Sequence, residues 1–127
     1  MERTDEQDGG TRRLLRLEGL ALFAAATALY AARQAGLALY LELFLVPDIA
    51  IALYLFGRRA GAAGYNATHT TLAPLLLAAA ALVIAQPLAL AIALIWLAHI
   101  GLDRALGYGL KQATGFRDTH LGRIGRA

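Results

Sequence analysis

Four apolar stretches, each of about 20 residues, are separated by short polar or glycine-bearing breaks along this chain. They run approximately from Leu14 to Ala32, Leu37 to Phe56, Tyr65 to Ala85 and Leu88 to Tyr108. At about 1.5 Å per residue, a helix of that length covers the ~30 Å hydrocarbon core of a bilayer. The pattern predicts an all-α membrane protein. The breaks, Arg33 to Gly36, Gly57 to Gly64 and Gln86-Pro87, are short enough to make neighbouring spans antiparallel, giving a four-transmembrane-helix antiparallel bundle over residues 14–108. Residues 1–13 are polar and acidic and read as a disordered cytoplasmic lead, and residues 109–127 as a basic, glycine-rich cytoplasmic tail.

Charge orients the bundle. Eleven of the twelve Lys and Arg residues fall on one side of the alternating spans, and only Arg33 falls on the other. Basic residues near span ends are held on the cytoplasmic face, so both termini are expected there. Arg outnumbers Lys eleven to one in an Ala- and Leu-rich chain, which points by association to a bacterium with a GC-rich genome and to its cytoplasmic (inner) membrane. A content of 58% hydrophobic residues exceeds what one soluble core of this size buries. The net charge of +3 reflects topology and not nucleic-acid binding, because no basic run is interleaved with stacking aromatics. The expected partners are the lipid bilayer and a second copy or a larger membrane complex. With no cysteine, disulfides, thiol catalysis and thiolate metal sites are excluded.

Within the spans, Ala24, Ala28 and Ala32 form a four-residue ladder, and Ala89 and Ala93 begin another, suited to close helix approach. Tyr30, Tyr40, Tyr54, Tyr65 and Tyr108 fall near span ends, where the headgroup level suits an amphipathic ring. Pro47 and Pro74 remove the helical donors to the carbonyls of Leu43 and Thr70 and predict kinks.

The informative residues are those that lipid disfavours. From the cytoplasmic span ends, Asp48 is expected about 12 Å deep, His99 about 13 Å, Asp103 about 7 Å, and His69 and Glu18 about 6 Å. All four spans thus bring a polar side chain into one leaflet. A charge there costs at least ~2 to 3 kcal/mol unless it faces protein or water, so the simplest arrangement turns these groups toward one another. His99 and Asp103, four apart, share a helix face, as do Asn66 and His69, three apart. The expected polar cluster is Glu18, Asp48, Asn66, His69, His99 and Asp103. Glu42 lies near the outer end of its span on a different face, Arg104 can pair with Asp103 or Glu18, and Asp118 and His120 of the tail are candidates to fold back over the cluster.

The segments Val46-Pro47-Asp48, Tyr65-Asn66-Ala67-Thr68-His69-Thr70 and Trp96 to Arg104, with the tail from Gly107 to Gly122, resemble a small bacterial integral membrane family of unknown function. The resemblance covers nearly all of the chain after Arg13 and implies four membrane helices without an established activity. A second similarity is to membrane-bound metal-dependent hydrolases with an early Pro-Asp, a middle histidine motif and a late His-x-x-x-Asp. It matches Asp48, His69, His99 and Asp103 in order, but Ile49 and Ala50 stand where a further acidic residue is usual, and the middle motif has one histidine.

Two imidazoles and two carboxylates suit zinc, manganese or iron(II), and an open coordination position lets such an ion acidify a water. The same four groups also suit a hydrogen-bonded knot, with His99 paired to Asp103 and His69 to Asp48. Three readings follow: a structural or accessory membrane protein whose buried polar residues specify helix pairing, a membrane-embedded metal-dependent hydrolase, and a small oligomeric proton-coupled transporter. Of these, the structural reading is the leading expectation, and transport ranks last for want of a polar track into the outer half.

Overall fold

The computed structural model describes residues 5–107, 111–112, 115–119 and 122–123. Helix α1 runs Asp5–Ala32, α2 Leu37–Phe44, a 3₁₀ segment Val46–Phe56, α3 Arg58–His69, α4 Leu72–Val83 and α5 Pro87–Ala105. Four helical stretches are long and apolar enough to cross a membrane: Gly9–Ala32, Leu37–Phe56, Arg58–Val83 and Pro87–Ala105. The four-span architecture therefore stands, with altered boundaries. The first helix begins in the segment expected to be a flexible lead, and Tyr108 lies outside the described residues.

The middle spans are broken. The second changes at Leu45 from α-helix to 3₁₀ geometry, and Pro47 sits in the first turn of the new segment. The third leaves helical geometry at Thr70 (φ −77°, ψ 142°) and restarts at Leu72, which puts Pro74 in the first turn of α4. A proline is tolerated in a first turn because the N–H it lacks has no helical acceptor there. The two prolines thus open new helical segments, where kinks in continuous helices were expected. The connector expected over Gly57 to Gly64 shrinks to Gly57 alone, whose φ of +112° suits glycine and lets the chain reverse directly into α3.

Helix α5 is the central rod. It packs along α1, α4 and α2, and its buried side chains include Leu90, Leu94, Ile95, Leu97 and Ile100. The 3₁₀ segment and α3 instead form a hairpin that packs chiefly on itself. Inside it, Leu53 and Tyr54 lie against Gly64 and Gly61 at distances that leave no room for a Cβ.

The α1 alanine ladder does not make the α1–α5 contact, since Ala24, Ala28 and Ala32 are all exposed, whereas Ala93 of the second ladder is buried on α5. Glycines bring the two backbones close together. A Cβ on Gly101 would lie 2.5 Å from the backbone nitrogen of Phe23 and 2.7 Å from the carbonyl of Gly19, and one on Gly19 would lie 2.8 Å from the carbonyl of Gly101. Arg16 completes the contact by donating from Nε to the Ala105 carbonyl at 2.9 Å, a cation at the carbonyl end of α5.

The expected interfacial tyrosines also differ. Tyr30 and Tyr65 are buried in the protein, and Tyr30 donates its hydroxyl proton to the carbonyl of Gly36, tying α1 to the start of α2. In the tail, three short strands, β1 Lys111–Gln112, β2 Gly115–Thr119 and β3 Gly122–Arg123, pair antiparallel in that order, and the backbones of β1 and β2 run beside α3.

Because the obstruction at Gly101 is backbone, which cannot rotate away, Gly101→Ala is expected to cost about 1–3 kcal/mol despite alanine's better helix propensity. The measurement is a lower unfolding midpoint in detergent. Gly9→Ala, with nothing within 4 Å of its Cβ, should leave that midpoint unchanged or slightly raised.

Candidate metal centre

The two breaks meet at one place. Asp48 is the third residue of the 3₁₀ segment and His69 the last of α3. Asp48 is eight residues before the Phe56 end of its segment, at about 2.0 Å per residue, and His69 eleven after Arg58, at about 1.5 Å. Both lie roughly 16 Å from the Gly57 turn, so the hairpin brings them level at its open end. There they meet His99 and Asp103, one turn apart on α5.

His69 Nε2 is 3.0 Å from Asp48 Oδ1, 3.1 Å from His99 Nε2 and 3.4 Å from Asp103 Oδ2. His99 Nε2 is 3.2 Å from Asp48 Oδ1 and 3.2 Å from Asp103 Oδ2. The four donor atoms all lie within 4.8 Å of one another. The histidines are almost wholly enclosed, at 3% and 1% exposure, whereas the Asp48 side chain is 36% exposed and that of Asp103 19%. The centre is therefore approached from the carboxylate side.

Neighbouring groups orient the rings. His69 Nδ1 lies 2.9 Å from the Tyr65 carbonyl, which can only accept, so this nitrogen carries the proton and a neutral ring turns a bare Nε2 lone pair toward the cluster. Tyr65 also stacks on that ring at 3.7 Å and 6°. The Thr68 hydroxyl lies 2.9 Å from the same Nδ1 and reaches the Pro47 carbonyl at 3.2 Å, linking α3 to the residue before Asp48. The break at Thr70 also frees the Thr68 carbonyl, which accepts the indole N–H of Trp96 from α5. His99 is held by the edge of Phe44, with ring centres 5.3 Å apart. Its Nδ1 has no partner in hydrogen-bond geometry among the described residues, and the Phe44 carbonyl stands near it as an acceptor.

With both rings neutral, hydrogen bonding alone accounts poorly for this arrangement. With His69 protonated on Nδ1 and both rings neutral, at most one N–H, that of His99, points into a cluster with five short contacts. A lone pair and two carboxylate oxygens would then face one another in a largely enclosed space, which is costly. A divalent cation balances two carboxylates and satisfies all four donors. Four ligands at about 2.0–2.1 Å from one ion in a tetrahedron stand about 3.3–3.4 Å apart. Five of the six separations fall within about 0.3 Å of that figure, and the sixth, between the Asp48 and Asp103 carboxylates, lies within 4.8 Å, so the carboxylate side of the group is the more open one. The group Asp48, His69, His99 and Asp103 could hold a metal ion.

Glu18 and Glu42 are not among these four groups. Glu18 is exposed on α1 and acts electrostatically on Arg104. Asn66 is half-buried one turn before His69, and its carbonyl accepts the Thr70 N–H at 2.9 Å. Glu42 is exposed on α2. Asp118 lies in β2, whose backbone passes beside α3, and His120 is outside the described residues. The supporting roles of Tyr65, Thr68, Phe44 and Trp96 went unread in the sequence. Tyr65 four before His69 and Trp96 three before His99 were the available signals, since such spacings share a helix face.

No curated protein and no solved structure matches the chain. A family model described as Domain of unknown function (DUF4260) matches residues 12–124, which include all four cluster residues. The chain belongs to the DUF4260 family.

Proposed function

We propose that Asp48, His69, His99 and Asp103 bind one divalent transition-metal ion, zinc foremost with manganese or iron(II) as alternatives, and that the protein is a membrane-embedded metal-dependent hydrolase. The supporting observation is the convergence of four donor atoms at 3.0–3.4 Å. A bound ion supplies Lewis acidity and lowers the pKa of an attached water toward neutrality. The chain's own part is to hold the ligands, keep His69 in one tautomer through Tyr65 and Thr68, and admit substrate beside Asp48. For an ester, the water oxygen bonds to the acyl carbon, the bond from that carbon to the alkoxy oxygen breaks, and the alcohol leaves with a proton from the water. With Oδ1 counted in the donor set, the second oxygen of the partly exposed Asp48 carboxylate is the group that can take and return that proton.

The distribution of arginines supports an orientation with both termini in the cytoplasm and the cluster in the inner leaflet of a bacterial cytoplasmic membrane. A second reading, non-enzymatic, is supported by the hairpin: it packs mostly on itself and meets α5 through the cluster, so an ion there would staple broken spans into the bundle. Transport has less support, because Glu42 is exposed and apart from the cluster.

Protein purified in mild detergent and dialysed against zinc should carry about one ion per chain by mass spectrometry. His99→Ala should lower zinc affinity at least tenfold, and Glu42→Gln should not change it. Wild type without stoichiometric zinc, manganese or iron rules out the metal centre.

A short-chain ester assay separates the two metal-based readings. Zinc-loaded wild type should hydrolyse it, and Asp48→Asn, assayed at zinc concentrations that fill its weakened site, should lower kcat at least 100-fold. Full zinc occupancy with no turnover, together with faster proteolysis around Gly57 after chelation, favours the structural staple.

A further inference from the structure

A cavity of about 260 Å³ lies between the spans beside the cluster, among Leu43, Val46, Pro47, Thr68, Ile95 and Trp96. Three of its walls adjoin cluster residues in the chain. Pro47 precedes Asp48, Thr68 precedes His69, and Ile95 and Trp96 lie four and three residues before His99, on the same side of α5. Ile92, one turn further back, continues the lining away from Asp103. The cavity is thus an extension of the site along α5, into the apolar part of the bundle.

Its surface is nearly all hydrocarbon. The polar groups at the cluster end are engaged with one another: the Thr68 hydroxyl is within reach of the Pro47 carbonyl, and the Trp96 indole donates to the Thr68 carbonyl. Water finds few partners in such a space and an apolar chain finds many contacts. Val46, on the rim, is 46% exposed on a stretch long and apolar enough to cross a membrane. If a methylene occupies roughly the ~30 Å³ of a water, the cavity holds about eight carbons.

We infer that this cavity is an acyl-chain subsite, and that the substrate is a straight-chain carboxylic ester, entering from the bilayer with its carbonyl at the Asp/His cluster and its first carbons beside Trp96. The inference rests on the hydrolase reading and names its substrate class. A polar or short-chain substrate would leave this space unused, whereas a lipid-borne acyl chain fills it without leaving an apolar phase.

The test uses the full chain, zinc-loaded, in lipid nanodiscs, with octanohydroxamate and acetohydroxamate as probes sharing one metal-binding head. Trp96 is the chain's single tryptophan and reports occupancy by its fluorescence. Octanohydroxamate should bind at least tenfold more tightly than acetohydroxamate and shift Trp96 emission. Ile92→Phe, which fills the cavity, should abolish that preference while keeping zinc and acetohydroxamate binding. Val46→Phe at the rim serves the same purpose if Ile92→Phe does not fold. Equal affinity of the two probes for wild type, or an undiminished preference in the filled variant, overturns the subsite and leaves the metal centre intact. Wild type that binds no zinc overturns the hydrolase reading and the subsite together. Bound zinc and a subsite preference, with no ester hydrolysis, overturn the catalytic reading and the assignment of an ester substrate.

Discussion

A polar atom removed from water must find a partner, and in this chain the surrounding apolar spans offer few. Two imidazoles and two carboxylates are drawn out of an apolar scaffold and left with one another. Their donor atoms converge to separations at which, with both rings neutral, protons alone cannot serve every pair. The rest of the architecture follows from bringing these four atoms together. The second and third spans stop being regular helices at Leu45 and Thr70, close to the residues they contribute. Irregular backbone at membrane depth survives only when its freed groups are satisfied inside the protein. Here Trp96 takes up the Thr68 carbonyl, and Thr68 reaches Pro47.

The same economy explains the division of labour among the elements. Helix α5 is a regular rod that presents His99 and Asp103 from one face, and glycine contacts let α1 lie against its backbone. The hairpin of the 3₁₀ segment and α3 is a separate arm, with Asp48 and His69 level at its open end. A regular rod and a separately packed arm thus share the site. This supports both metal-based readings: an ion would fasten the arm, and the exposed side of Asp48 would keep the centre reachable.

In the proposed reading, substrate and scaffold are linked by the apolar cavity behind the cluster. Its walls come from the elements that carry Asp48, His69 and His99, so any change in how the arm seats on α5 alters the donor set and the cavity together. A head group at the ion and a chain along α5 would be read by one packing arrangement. In the proposed reading, that coupling would let the packing of the arm on α5 select the substrate.

The sequence by itself determined four apolar spans, short connections between them, and Asp48, His69, His99 and Asp103 as groups that have to face inward. Those features are legible because hydrocarbon length and the cost of a buried charge act residue by residue. Only the tertiary structure decided where the spans break, that Gly57 alone turns the hairpin, that Gly19 and Gly101 make the close helix contact in place of an alanine ladder, and that Glu18 stays outside. It also decided that Tyr30 and Tyr65 turn inward, and that Tyr65 and Thr68 orient a histidine. Which face of a helix meets which neighbour depends on packing among several segments at once, and alanine or tyrosine at a given spacing is compatible with either face until those neighbours are in place.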